Sequence, residues 1–526
     1  MKRFLSNGYL PAELPPPFNS ESFSLYLVAN APSQAPFSLS KSDPPKYVSQ
    51  PETYNLARAG TLRRNLSLPN PVNFYQQAKI FTDAWDTLKK HYSKSQTSLS
   101  TPTRTPAGLK TRAYQWLKPF SELQTIRLNT RFGKRYLVKT DIKSCYPSIY
   151  THSIAWALHG KAKSQANTEF SNSLGNKIDR VIQNSQLKQT KGIQIGPDSS
   201  YLAAEIILTR VDQFIAKRLG KSYLRFMDDF EFCSDSYNAA EKALSVFQEA
   251  LAEYGLLANE SKTSIAELPA PIDDAWTRQL RSTRIESAIK PKTQRATLID
   301  LFDTSLALRQ QFPDQAVVKY AIAMTSSTVI DSSNWALYQQ ILLQWAQVEP
   351  QVLPIALDLL AAYKGADFVI EKNLLASILC LIINIHSSRG HTSEVAWSIW
   401  GHLLFAIPVD PSAVRNASRL NSSVVALLML DARAKGLIAK SEKFSRWLPL
   451  MQPNSLATEN WLLAYEARVK KWLPPVGTKE YIKTVAGFGL LGSNGVSFYD
   501  ENLSKNYSPD LKLLKIRLAL TQDYAY

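Results

Sequence analysis

Cysteine is nearly absent from the sequence, with only Cys145, Cys233 and Cys380 in 526 residues. The three are far apart, lie in apolar surroundings and lack paired spacing, which excludes a disulfide scaffold and a cysteine-rich zinc site. That usage is the one expected in a reducing cytoplasm. Long hydrophobic runs are missing too. No extended apolar stretch follows Met1-Lys2-Arg3, as a secretory leader requires, and the most apolar later run, Leu374 to Ile385, is too short to cross a bilayer. A cytoplasmic protein without membrane association is expected. Acidic charge is scarce in one part only. Residues 1–200 hold 27 Lys/Arg against 11 Asp/Glu and the remainder 34 against 33, so the first part carries nearly all of the formal net charge of +17. Such an excess fits a polyanionic partner, nucleic acid or nucleotide phosphates, and equally a solvated basic surface.

What is present divides the chain into three parts. Residues 1–55 are rich in proline and serine, which predicts an extended N-terminal arm. Apolar spacing predicts a helix over Phe74–Tyr92. From there to about Leu268, "RYLVKTDI" and "YLRFMDDFEF" read as strands, "SSYLAAEIILTRVDQFIAKRL" and "AAEKALSVFQEALAEYG" as helices, and "SKTSIAEL" as a closing strand. Beyond about residue 285 apolar-periodic helices follow one another between Pro, Gly and Asn turns, either an array of helical pairs or an irregular helical domain. The expected boundaries are 1–55 for the arm, 56–270 for the mixed domain and 271–526 for the helical domain.

Three constellations bear chemistry. Asp228 and Asp229 are adjacent acids between apolar, aromatic-rich runs, and they repel each other unless a turn exposes them or a cation neutralises them. In "LVKTDIKSCYPSIY" a strand ends in Asp141, and Tyr146 follows five residues on. In "KGIQIGPDSSYLAAEIIL", Gly192 and Gly196 permit close backbone approach, and Ser199 or Ser200 is placed to cap the helix.

The succession of strand aspartate with trailing aromatic, glycine turn and helix, double-aspartate hairpin, helix and Lys262-bearing strand resembles motifs A to D of the reverse transcriptase palm. The resemblance implies a reverse-transcriptase-like palm and fingers, and with the helical segments beyond residue 285 the expected fold is α+β, palm and fingers followed by an all-α helical-repeat (HEAT-like) C-terminal domain. It implies that Asp141, Asp228 and Asp229 are catalytic and, with Ile142, hold two divalent ions, Mg2+ or Mn2+, for nucleotidyl transfer. Adjacent strand residues point to opposite sides, so Asp228 is expected to face Asp141 and Asp229 to sit at the turn. Tyr146 corresponds to the aromatic gate that leaves no room for a ribose 2′-hydroxyl, which favours deoxynucleotides. Gly196 and Lys262 fall at nucleotide-binding positions. Arg127, Arg131 and Arg135, with Lys134 and Lys139, fall where the fingers would meet the triphosphate.

Motif B departs from the usual Pro-Gln-Gly, with Gln194-Ile195-Gly196 at a position that helps hold template and incoming base. Together with "YTHSIAWALHGK" after motif A, this is similar to the phage abortive-infection (Abi) polymerases, including prophage-encoded ones. That family implies homo-oligomers, phage defence, and template-independent synthesis of single-stranded DNA attached covalently to a priming tyrosine. Tyr9 is the expected primer, with Tyr26, Tyr47 and Tyr54 as alternatives. Rival readings are an RNA-templated reverse transcriptase of the retron or group II intron kind, and a non-catalytic nucleic-acid-binding toxin scaffold.

Overall fold

Short runs among the described residues form eight strands, several of them rich in β-branched and aromatic residues: β1 (Glu52–Ala57), β2 (Arg63–Leu68), β3 (Pro102–Arg104), β4 (Tyr114–Trp116), β5 (Tyr136–Asp141), β6 (Tyr223–Phe226), β7 (Asp229–Ser234) and β8 (Ser264–Glu267). The structure is a computed structural model that describes residues 1–30, 36–37, 45–106, 111–118, 122–283, 285, 290–477, 480–509 and 511. β1 pairs with β2 and β3 with β4, while the last four strands form one sheet of order β6-β7-β5-β8.

All pairs in that sheet are antiparallel, and the β5–β7 register runs from Tyr136 opposite Ser234 to Asp141 opposite Asp229. Alternation along β7 decides which side chains meet the core. Phe230 and Phe232 point to one face, where their rings lie 4.6 and 5.8 Å from that of Phe247 on the helix Tyr237–Ala252. Asp229 and Glu231 point to the other.

The helix Asp198–Leu219 is buried over most of its length and carries three buried acids, Asp198, Glu205 and Asp212, spaced seven residues apart and so on one face. It starts at Asp198 behind Pro197, and no side chain caps it. Ser199 instead donates to Gln77 at 2.7 Å, so the expected serine cap is not formed. The predicted helix over Phe74–Tyr92 is two, Pro71–Asp83 and Trp85–Tyr92, which break at Ala84.

Residues 1–30 differ from the expected extended arm. They contain the helices Lys2–Asn7 and Glu21–Asn30, and Phe4, Leu5, Tyr9, Phe23 and Leu27 are buried. The prolines are confined to a turn between these helices, where Ser20 donates to the Leu5 carbonyl at 2.8 Å and Ser24 to that of Lys2 at 2.6 Å. The apolar residues on either side of the prolines supply enough burial to order the segment. Residues 31–35 and 38–44 of the proline- and serine-rich stretch lie outside the described residues.

From Ala275 onward every regular element among the described residues is helical. The helices Leu353–Lys364, Lys372–Ser387, Thr392–Phe405 and Ser423–Ala434 match the apolar-periodic segments "PIALDLLAAYKG", "NLLASILCLIINIH", "SEVAWSIWGHLLFAI" and "NSSVVALLMLDARAKG" to within two residues, and Trp345, Trp400 and Trp461 anchor the core at full burial. No helix among the described residues is long and apolar enough to cross a membrane.

Candidate active site

The two-residue turn between β6 and β7 is Met227-Asp228, because Phe226 pairs with Asp229. Met227 takes φ 55°, a conformation that costs a non-glycine residue energy and persists only where its surroundings enforce it. Here a buried arginine enforces it. Arg225 is fully buried in β6 and forms ion pairs with Glu205 and Asp212, each at 2.8 Å. It also donates to the Met227 carbonyl at 3.0 Å, while Ser100, itself bonded to Glu205, accepts from the Met227 amide at 2.7 Å. The turn is closed from the other side by the Ile142 amide, which donates to the Asp228 carbonyl at 3.1 Å.

This turn brings the three expected acids together, with one correction. Asp229 is the ladder partner of Asp141, and Asp228 is the turn residue. The expected assignment was the reverse, and the reason is that the turn begins at Met227 rather than at the aspartates. Asp228 nevertheless shares with Asp141 the wall of a cavity of about 700 Å3, also lined by Ile142, Tyr146, Gly196, Asp198 and Lys262.

Electrostatically the trio calls for a cation. Directly opposed like charges destabilise an antiparallel pair. Burial, then the charge of Asp141, raises the Asp228 carboxyl above its ordinary value. Asp229 is exposed at the strand end, yet its carboxyl is pushed up to about 6 by desolvation first and the neighbouring Asp228 second. Asp141 is buried; its Oδ2 pairs with Lys262 Nζ, and its Oδ1 has no hydrogen-bond partner. A buried carboxylate oxygen without a partner, beside two further carboxyls, fits hard divalent ions that take oxygen ligands. The Lys262 side chain is 64% exposed, so it can leave this pairing without a burial penalty.

Tyr146 lies on the cavity wall, and its backbone carbonyl accepts from the Ile193 amide at 3.0 Å, which ties it to the Gly192–Gly196 turn. Burial raises its hydroxyl well above the ordinary tyrosine value, so the ring acts as a neutral surface. Gly196 has φ 130°, and a Cβ there would come within 2.9 Å of Pro11 Cγ and 3.2 Å of the Ser67 carbonyl. Only glycine fits that position.

The predicted triphosphate cations are elsewhere. Arg127 and Arg131 both pair with Glu231 at 2.8 Å, two residues along β7 from Asp229. Lys134 pairs with Asp235. Arg135 precedes β5 at the end opposite Asp141, six residues away, or roughly 20 Å at the rise of a strand. Arg131, Lys134 and Arg135 are thus placed away from the acids, whereas Arg127 still acts electrostatically on Asp229 and Lys139 lies on β5 two residues before Asp141. The cations that line the cavity are instead Arg58, Arg63, Arg64 and Arg112, with Lys262. Arg58 and Arg64 act electrostatically on Asp228, and both also border an adjoining cavity of about 1020 Å3. The doubled arginine in "AGTLRRN" was the available signal for Arg63 and Arg64.

Tyr9 is not in the cavity. It is fully buried, stacked on Phe74 at 4.2 Å, and its hydroxyl donates to the Pro69 carbonyl at 2.6 Å. The expected mobile primer is thus anchored, because its ring fills an aromatic pocket with Phe23, Phe74 and Phe498. Its neighbours do reach the site. Gly8 accepts from the Asp198 amide at 2.8 Å, and Arg112 joins Asp198 at 2.7 Å to the Leu10 carbonyl at 2.7 Å. Among the alternatives, Tyr54 is fully buried and Tyr47 is half-buried with its hydroxyl pushed up to about 12 by burial. Tyr26 is half-buried, near Asn494.

Residues 63–295 match the reverse transcriptase (RNA-dependent DNA polymerase) family. The match spans under half of the chain and contains Asp141, Asp228 and Asp229; reverse transcriptase domains are nucleotidyltransferases that generally use divalent metal ions. No curated protein sequence matches the chain. Among solved structures, apo telomerase from Candida tropicalis truncated from the C-terminal domain is similar at 13% identity and TM-score 0.32, over 43% of this chain and 51% of that one. Telomerase from Candida albicans in complex with a TWJ fragment of telomeric RNA is similar at 11% identity and TM-score 0.30, over 66% of this chain and 63% of that one. The chain thus spans between half and two thirds of these structures.

Proposed function

We propose that this chain is a DNA polymerase that adds deoxynucleotides at the Asp141, Asp228 and Asp229 site without copying a template, starting from a tyrosine of its own. In this reading the attacking hydroxyl oxygen bonds to the α-phosphorus of a deoxynucleoside triphosphate, the α–β phosphoanhydride breaks and pyrophosphate leaves. Two Mg2+ or Mn2+ ions bound by the three carboxylates, with the backbone of Ile142, would activate the attacking oxygen and neutralise charge on the phosphoryl group. The Tyr146 ring excludes a 2′-hydroxyl. Arg58 and Arg64 attract the triphosphate, and Lys262 moves from Asp141 to the departing pyrophosphate.

The observation that carries the template-independent part is the seating of residues 8–11 on the Gly196–Asp198 loop. The chain's own N-terminal segment packs where motif B would otherwise help hold a template and incoming base. The wider reading is an abortive-infection enzyme, phage-directed and prophage-encoded, homo-oligomeric and cytoplasmic, with the C-terminal helices forming a HEAT-like array. Its domain limits are 1–55, 56–270 and 271–526, and the DNA remains bonded to the priming tyrosine. Priming from Tyr9 requires the segment to leave its aromatic pocket.

The test is incubation of the purified chain with labelled deoxynucleotides and Mg2+ or Mn2+, with neither template nor primer. Label that migrates with the protein on a denaturing gel until proteolysis supports the reading. Incorporation only when an RNA template is added would replace it with templated reverse transcription, the reading that the family match favours.

A further inference from the structure

On the helical side of the molecule, far in sequence from the acids, His386 ends one helix and His391 and Glu394 open the next. Gly390, at φ 69°, reverses the chain between them, and the His391 amide donates to the His386 carbonyl at 3.1 Å. The turn brings two imidazole nitrogens and one carboxylate oxygen face to face. His386 Nδ1 and His391 Nδ1 are 2.9 Å apart, and they lie 3.4 and 3.5 Å from Glu394 Oε1. Both histidines are partly buried, and Glu394 is buried.

Those three separations are close to the edge of a ligand tetrahedron. Zinc bonds of 2.0–2.1 Å to nitrogen and oxygen put neighbouring ligand atoms about 3.3 Å apart. The protonation state suits a metal as well. Two Nδ1 atoms facing each other at 2.9 Å cannot both carry a proton, so at least one offers a lone pair. Imidazole and carboxylate together suit a borderline divalent transition ion rather than Mg2+.

Arg63 is the competing partner, since it binds Glu394 through both guanidinium nitrogens. A carboxylate oxygen has two acceptor positions, and the Arg63 fork fixes the orientation of the carboxylate while leaving Oε1 able to take a second partner. The same helix start receives β1: the Asn55 and Ala57 amides donate to Thr392 Oγ1 and Ser393 Oγ, both at 2.9 Å.

We propose that His386, His391 and Glu394 bind one Zn2+-type ion, with water in the fourth position, at the point where the β1–β2 hairpin docks on the helical domain. The ion fastens the support of Arg58 and Arg64, which line the acidic cavity, to the helix Thr392–Phe405. This inference is independent of whether the chain synthesises DNA.

The test is metal binding by the full chain, with Asp141→Asn/Asp228→Asn as background so that the acid cluster does not contribute. Added Zn2+ is expected to remain at one per chain after dialysis. Co2+ in its place is expected to give the visible absorption of a four-coordinate site, and X-ray absorption of the zinc form two imidazole ligands. His386→Ala/His391→Ala should lose the ion, and the milder His391→Asn should weaken binding at least tenfold. Arg63→Gln, which removes the opposing charge, should bind as tightly or more so. No zinc retained by the background chain, a spectrum without imidazole ligands, or unchanged retention in the double histidine variant overturns the proposal.

Discussion

Asp141, the last residue of β5, stands directly opposite Asp229, the first residue of β7, with Asp228 in the turn beside them. Opposed carboxylates on one sheet face are a cost to the fold that a bound divalent cation removes. Asp141→Asn and Asp228→Asn should therefore each lower deoxynucleotide incorporation by several kcal/mol of transition-state stabilisation, about a thousandfold or more. The same Asp228→Asn substitution should leave the melting temperature equal or raise it, because burial already disfavours the ionised form. Incorporation assays and thermal melts on the same preparations check both. Retained incorporation in either variant would remove the acids from the chemistry.

Acidification should release the metal. The Asp229 carboxyl titrates at about 6, above the ordinary value of 3.8, so the folded chain takes up a proton there before the unfolded chain does. Without metal, this group favours the folded state at low pH and loses that contribution as pH rises from about 4 through about 6. Divalent binding requires the ionised form, so its affinity runs the other way. Mn2+ binding followed calorimetrically should weaken about tenfold between pH 7 and pH 5, where only about a tenth of the group is ionised.

Replacing the Tyr146 ring tests the sugar preference. Tyr146→Val opens the cavity wall next to Asp141, and ribonucleotide incorporation relative to deoxynucleotide should rise by about tenfold or more. A single-nucleotide competition assay reads the ratio. If the ratio does not move, the ring is only a packing residue.

Arg225 is expected to be the most sensitive single position for stability. Arg225→Leu leaves Glu205 and Asp212 buried without their partner and should cost about 3–5 kcal/mol in denaturant unfolding. The triple change Arg225→Leu/Glu205→Leu/Asp212→Leu should recover much of that loss, since no buried charge remains. Recovered stability without recovered incorporation would show that the network also positions the Met227-Asp228 turn.

Tyr9→Phe separates priming from packing. It removes only the hydroxyl that donates to Pro69, a change of about 1 kcal/mol in stability. If Tyr9 primes, protein-linked label should vanish while extension of an added oligonucleotide continues. Linked label that persists moves the primer to another tyrosine.

The acid cluster was legible in the sequence because its order along the chain is short-range: a strand ends in Asp141, a hairpin carries Asp228-Asp229, and a lysine strand follows. The helical half was legible too, since "NLLASILCLIINIH" and "SEVAWSIWGHLLFAI" have the periodicity of their helices. What escaped depends on distant pairing. Arg131 looks like a phosphate ligand in the sequence, and only the fold, which places Glu231 of β7 at 2.8 Å from it, reveals that it is neutralised. Arg225 sat within the quoted hairpin, but its role needed two acids on a helix whose face toward it cannot be read from composition. The N-terminal segment was misread because proline content weighed more than Phe4, Leu5 and Tyr9, whose burial partners lie as far away as Phe498.

The contact between Tyr9 and Phe498 has a consequence for the order in which the molecule is made. The ring of Tyr9 packs 6.0 Å from that of Phe498, Asn19 donates to the Phe498 carbonyl at 3.1 Å, and Phe18 bridges Tyr499. A ribosome delivers residue 498 nearly five hundred peptide bonds after residue 9. On a nascent chain the acids, their hairpin and the loop at Gly196 all emerge while the Tyr9 pocket still lacks one of its walls. The acid-bearing region is thus translated long before the tyrosine near it can be locked away.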